Sequence, residues 1–232
     1  AAFKIGVLGS LEAVAAVAEV VSDYPEIPLI LDPVLASGRG DELASEDMLT
    51  AIRELLIPQT TIITPNSIEA RRLVQEDGEE ELELAECARR LLALGCEYVL
   101  ITGTHENTTQ VVNTLYGQEG VIRTDRWDRL PGSYHGSGCT LASAIAATIA
   151  NGLSIGDAVK DFRRLVIMGE DDGVALALQL VDGFDIGRVE RPFDGGNDIA
   201  DALIDRCSGS FDFGCPEQGR TLDAAKRVQA RR

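Results

Sequence analysis

The chain has 232 residues, 45% of them hydrophobic and 25% charged, which is enough for one substantial core or two small ones. Its 38 Asp and Glu outnumber 21 Lys and Arg, giving a formal charge of −17. That balance sets nucleic acid and membranes aside as expected partners, because anionic surfaces attract basic ones. A bound phosphate is still allowed, since backbone N–H groups at a helix N-terminus hold one without a lysine. No apolar run reaches the roughly 18 residues of a spanning helix. The cysteines are Cys87, Cys96, Cys139, Cys207 and Cys215, with no CxxC pair and only His105 and His135 beside them. That set gives no zinc spacing, and free thiols in a reducing cytoplasm are expected.

The chain opens at Ala1 without Met and runs straight into a strand, Phe3-Lys4-Ile5-Gly6-Val7-Leu8, so its true start is expected upstream. Ser10 is placed to cap a helix with Leu11, Val14, Ala15, Ala18 and Val21 inward. Leu29-Ile30-Leu31 reads as a buried strand ending at Asp32-Pro33. Ser45 caps a second helix with Met48, Leu49, Ile52, Leu55 and Leu56 inward. Thr61 to Thr64 is β-branched and stops at Pro65, and a helix follows from Asn66. The acidic run from Asp77 to Glu86 reads as the wet face of a helix whose dry face is Leu82, Ala85, Ala88, Leu91 and Leu92. Tyr98 to Ile101 is the next buried strand. Gln110–Tyr116 and Gly120–Thr124 suggest an antiparallel pair. Gly138–Ala150 is a helix of small residues, and Ser154 with Asp157 opens another. Beyond Arg163 periodicity fades, with Val174–Val181 apolar enough for one short element and a frayed basic end at Lys226–Arg232. Strand–helix alternation followed by a hairpin predicts an α/β sandwich with a mainly parallel sheet.

Four stretches carry chemistry. In His135-Gly136-Ser137-Gly138-Cys139-Thr140 a glycine turn runs into a helix, which would converge N–H groups and dipole on an anion, or simply pack a turn beneath a helix. Cys139 in the first turn is either a thiol acidified by the dipole, suited to take a proton, or a small core residue. Asp32, at a strand end above Ser37-Gly38-Arg39-Gly40-Asp41, is either a magnesium or phosphate group or a turn-forming Asp-Pro. Asn66 and Glu69 have capping-box spacing, and Glu69 could also reach a metal through water. His105 reads as a loop residue. No GxxxxGK[ST] occurs, so this is not a P-loop kinase.

In order and spacing, Lys4 to Leu8, Leu31-Asp32-Pro33-Val34, Thr64-Pro65-Asn66 with Glu69-Ala70, Val99 to His105 and His135 to Leu141 resemble the hydroxymethylpyrimidine/phosphomethylpyrimidine kinases, a branch of the ribokinase superfamily. The Gly-Ser-Gly-Cys run is the specific part, because most of that superfamily has Asp where this branch has Cys. The resemblance implies a ribokinase-like three-layer α/β sandwich with a mainly parallel central sheet and a short antiparallel edge pair. It covers roughly residues 1–162 as a kinase domain, with 163–232 a poorly defined, partly disordered tail. It implies ATP-dependent, Mg2+-assisted phosphorylation of 4-amino-5-hydroxymethyl-2-methylpyrimidine and of its monophosphate in thiamine biosynthesis. The partners would be that small molecule and ATP, and a homodimer is compatible. By the same likeness Cys139 is the base, and Gly136, Ser137 and Gly138 form the anion hole. Asp32 and Glu69 serve magnesium, Asn66, Thr102 and Gly103 the nucleotide, and Val7 and Val34 the pyrimidine.

Two other readings stand beside it: a non-catalytic remnant, or a related kinase with another small substrate. Family members open with a strand and Gly-rich segment ahead of the position matched by Ala1. Many carry Lys-Gly-Gly-His where this chain has Thr102-Gly103-Thr104-His105, and the tail after Arg163 matches no family motif. These departures predict weak Mg·ATP binding and a rate lowered by orders of magnitude, because positioning supplies most of the catalysis in phosphoryl transfer.

Overall fold

The computed structural model describes residues 1–36, 42–76, 78–129 and 136–161, and the backbone of strands at 165–170, 173–180 and 184–185. Six strands form one sheet in chain order: β1 (Phe3–Ile5), β2 (Leu29–Leu31), β3 (Ile62–Ile63), β4 (Tyr98–Thr102), β5 (Gln110–Gly117) and β6 (Gly120–Asp128). β1 to β4 are parallel and β4, β5 and β6 antiparallel. The helices are α1 (Leu11–Ser22), α2 (Glu46–Ala51), α3 (Ser67–Val74), α4 (Leu84–Ala93), α5 (Ser137–Ala150) and α6 (Ile155–Asp161).

Alternation along the strands divides the core in two. Leu31, Ile63, Val99, Ile101 and Tyr116 pack against α1 to α4. Ile30, Ile62, Leu100 and Leu115 face α5 and α6. Successive strand side chains point to opposite faces, so runs that are apolar throughout demand cover on both sides. The expected three-layer sandwich follows from that. Among the described residues no helix is long and apolar enough to cross a membrane.

Ser10 and Ser45 cap α1 and α2 as expected, accepting from the N–H groups of Ala13 (3.2 Å) and Met48 (3.3 Å). Details of the helices differ from the sequence reading. The buried stripe of α1 is Val14, Ala18 and Val21, supported by Val17, while Leu11 and Ala15 face solvent. After α2 the chain passes through a π turn at Ile52–Leu56 and a 3-10 turn at Ile57–Gln59. The extra residue in the π turn rotates Leu55 out to 40% exposure, where regular helical spacing would bury it. α4 begins only at Leu84, because Glu79 and Glu81 are drawn out of any helix by ion pairs to Arg90 (2.7 Å) and Arg71 (3.1 Å). Leu82 still packs on the core, from outside the helix.

The antiparallel pair is longer than expected. β6 runs to Asp128, with Gln110 opposite Asp128 and a bulge at Leu115/Tyr116. Its second half, Asp125-Arg126-Trp127-Asp128, is polar edge strand with no apolar alternation to announce it. Past α6, where one short element was expected, β7 (Leu165–Glu170), β8 (Gly173–Leu180) and β9 (Phe184–Asp185) form an antiparallel sheet of their own. Glu170 pairs with Gly173, and that two-residue gap is hairpin spacing. The Ser37–Asp41 loop and the basic chain end lie outside the described residues.

Candidate active site

The C-terminal ends of the parallel strands form a continuous rim. Pairing continues past the strands proper: Asp32 N–H donates to Ile5 (2.8 Å), Thr64 N–H to Leu31 (2.9 Å) and Thr102 N–H to Pro65 (2.9 Å). Asn66 bridges to Thr102 in parallel register. Asp32, Asn66, Glu69, Thr102 and Gly103 are thereby brought to one edge of the sheet, where parallel α/β folds bind ligands. Val7 and Val34 follow β1 and β2 on the same rim, with Val7 57% exposed.

Above this rim stands the N-terminus of α5. Gly136 is its N-cap, with a left-handed φ of +82° that favours glycine, and no side chain caps the helix. The first amides of a helix have no partner within it. Gly138 is exposed, and a Cβ built on it would meet nothing within 4 Å among the described residues, so this backbone has room beside it for a ligand. Thr140 turns its hydroxyl back to the carbonyl of Gly136 (2.9 Å) instead of covering the amides.

Beneath that helix end Cys139 faces the carboxylate of Asp32, which in turn accepts from Lys4 Nζ at 3.2 Å. Lys4 pairs in register with Ile30, which places it on the α5 face of the sheet. A Cβ on Gly6 would meet Lys4 Nζ at 2.8 Å, so the absent side chain leaves the ammonium its place. Burial pushes the Cys139 thiol up to about 11, and the charge and hydrogen bond of Asp32 add to that, with Lys4 opposing and Glu69 adding a smaller push. The expected acidification by the helix end is therefore overruled by burial and a facing carboxylate. Cys139 is a thiol at neutral pH in the ligand-free chain.

Glu69 makes the expected capping box, accepting from Asn66 N–H at 2.9 Å while Asn66 Oδ1 accepts from Glu69 N–H at 2.9 Å. Burial raises its carboxyl to about 7; the Asn66 N–H opposes this, Asp32 reinforces it, and a Leu35 N–H opposes it more weakly. Two carboxylates thus influence one another here, with the Lys4 ammonium on the Asp32 side and, among the described residues, no ion pair at Glu69. Among the described residues no group of three or more His, Cys, Asp or Glu side chains could hold a metal. Two carboxylates suit Mg2+, which keeps its waters and takes phosphate oxygens for the rest of its shell. Thr102 is buried at the end of β4, and Gly103 N–H donates to Asn113 Oδ1 at 3.2 Å. Backbone of Val112 lies where a Gly103 side chain would stand. His105 is an exposed loop residue, as expected.

The family model for phosphomethylpyrimidine kinase matches residues 1–175, three quarters of the chain. The chain belongs to the phosphomethylpyrimidine kinase family. The hydroxymethylpyrimidine/phosphomethylpyrimidine kinase of Escherichia coli K12 is 38% identical over 145 residues, covering 62% of this chain and 54% of that protein. The chain therefore spans about half the length of that relative. Among solved structures, phosphomethylpyrimidine kinase from Clostridium difficile 630 superposes with a TM-score of 0.57 at 30% identity, covering 68% of this chain and 64% of that one. Bacillus subtilis pyridoxal kinase, solved as an ADP complex, gives a TM-score of 0.61 at 28% identity, covering 71% and 61%. The family match runs past residue 162, into β8.

Lys4 is a candidate-site residue that the sequence reading gives no role: it counts there only as strand and as part of the run that carries the resemblance, although a charge inside an apolar run is the available signal. The lysines of the chain are Lys4, Lys160 and Lys226, and the first lies against Asp32 in the candidate site.

Proposed function

We propose that this chain carries the phosphoryl-transfer site of a hydroxymethylpyrimidine/phosphomethylpyrimidine kinase, acting with Mg·ATP on the hydroxymethyl group of the pyrimidine and then on the monophosphate. The observation that carries this reading is the meeting of Cys139 and Asp32 directly below the uncapped, open N-terminus of α5.

Each residue has a part in such a transfer. The backbone amides at Ser137 to Cys139 would receive the charge that spreads over the phosphoryl oxygens. Cys139 is the side chain placed to relay the hydroxyl proton: as its sulfur takes that proton, the thiol's own proton passes to the Asp32 carboxylate. Lys4 keeps Asp32 oriented toward the thiol. Asp32 and Glu69 would hold Mg2+, which when bound neutralises charge on the phosphates. Asn66, Thr102 and Gly103 lie toward the nucleotide, and Val7 and Val34 toward the pyrimidine. The test is product analysis: the chain incubated with Mg·ATP and hydroxymethylpyrimidine should yield pyrimidine mono- and then diphosphate by mass spectrometry. Pyridoxal phosphate formed preferentially in a parallel incubation with pyridoxal would replace this reading with the other kinase substrate.

A further inference from the structure

The loop after β4, residues 103–109, is held from outside by two arginines. Arg129, the residue after β6, donates from all three guanidinium nitrogens to main-chain carbonyls of this loop. Nε reaches Thr108 (3.0 Å), Nη1 reaches Thr104 (2.6 Å) and Nη2 reaches Glu106 (2.7 Å). Its own N–H donates to Thr109 at 3.3 Å. From the other side Arg71 of α3 grips the Glu106 carboxylate at 2.8 and 3.4 Å. The loop's other bonds are short-range turns, Glu106 N–H to Gly103 (3.2 Å), Thr108 N–H to Glu106 (2.9 Å) and the Thr108 hydroxyl to Gln110 (2.5 Å), apart from Gly103 N–H on Asn113. Below it is a cleft of about 110 Å3 floored by Ile101, Val112, Thr114 and Tyr116, not a filled core. Thr104, His105, Asn107, Thr108 and Thr109 are exposed. A segment with few buried contacts opens locally at low cost unless polar tethers close it. A planar guanidinium with donors fixed in a fork suits three converging carbonyls, and a single ammonium does not.

We infer that Arg129 is a positioning residue that clamps the 103–109 loop in its nucleotide-receiving conformation. The inference rests on the proposed role of Thr102 and Gly103 toward ATP. Arg129 stands seven positions before Gly136 in the sequence.

The experiment compares the whole chain with Arg129→Ala and Arg129→Lys by amide exchange and steady-state kinetics. Exchange over residues 103–109 should quicken in both variants while the rest of the sheet is unchanged. If the competent loop population falls to about a tenth, KM for ATP rises about tenfold, with kcat at saturating ATP within about threefold of the parent. Arg129→Lys behaving as the parent would overturn the proposal, because charge alone would then suffice. Unchanged exchange would also overturn it, as would faster exchange with an unchanged KM. If the parent shows no pyrimidine-dependent turnover, the functional reading fails. In that case the Kd for Mg·ATP replaces KM and exchange still decides the clamp, while a parent that binds no Mg·ATP overturns both.

Discussion

The two faces of the sheet are built from different residues to different ends. Toward α1–α4 the core is the more extensive one, and its helices bring large side chains such as Met48, Leu49, Leu56, Leu73 and Leu91 among smaller ones. Toward α5 and α6 the described core is smaller, and its helices bring the small Ala142, Ala146 and Ala158 between Leu141, Ile145 and Val159. Among the described residues the first face holds the larger number of buried apolar side chains and so contributes more to stability. The second sets a distance: small residues let α5 lie close to β1 and β2, and its first turn is thereby fixed over Lys4 and Asp32. Stability and positioning are therefore separable by mutation.

The sharpest break should come at the site itself. Cys139→Ala removes a half-buried thiol from the positioning face, and kcat should drop by about 10²–10⁴-fold, the range of a lost general base. KM for ATP should hold. Unchanged kcat with a lowered melting temperature would make Cys139 a packing residue only.

The two cores should then respond in opposite senses. Leu91→Ala opens a cavity on the large-residue face and should cost about 2–5 kcal/mol in denaturant unfolding, with kinetic constants of the folded fraction kept. Ala142→Leu should cost less, about 1–3 kcal/mol of overpacking, yet lower turnover more because it lifts α5 off the strands. Equal kinetic effects would show that α5 is not a spacer.

A pH titration of stability without metal reads the carboxylate pair. Glu69 has its folded carboxyl raised to about 7 from 4.5, so the folded state holds its proton more tightly. Stability is then fully present below about 4.5 and declines as pH rises through about 7. Glu69→Gln should flatten that decline and gain roughly 2 kcal/mol at pH 8 in EDTA, a figure of the order a shift of this kind implies. A parent whose stability rises across this window would contradict the crowding of Asp32 and Glu69.

The smallest effect is expected at Lys4. Lys4→Met leaves Asp32 without its cation, but Lys4 retains some water contact, so the loss should be about 1 kcal/mol. Added Mg2+ should recover part of it, measured as the shift of melting temperature with and without the ion. No recovery would remove Asp32 from the metal side.

Much of this was legible in the sequence because each feature is local. Apolar runs stopping at Asp32-Pro33 and Thr64-Pro65 fixed the strand ends, and Ser10, Ser45 and Asn66 with Glu69 announced their helices by capping chemistry. What escaped depends on partners distant in the chain. The late start of α4 is set by Arg71 and Arg90, and the length of β6 by pairing with β5. The Cys139 thiol is raised by burial first and then by Asp32, a residue 107 positions earlier, and so no rule about helix ends could foresee it.

The central claim, that the open N-terminus of α5 receives the transferred phosphoryl group, is tested most directly at Gly138. A Cβ there meets nothing within 4 Å among the described residues, so Gly138→Val should obstruct a ligand more than the fold, and unfolding of the variant is measured beside its activity. The measurement is coupled ADP release with Mg·ATP, with and without hydroxymethylpyrimidine, on the parent and on Gly138→Val at matched folded concentration. The account predicts pyrimidine-dependent ADP release by the parent, even if slow, and a loss of at least about 100-fold in the variant, as when oxyanion-type donors are removed. Equal release by the two proteins, or none from the parent above the pyrimidine-free blank, would contradict it.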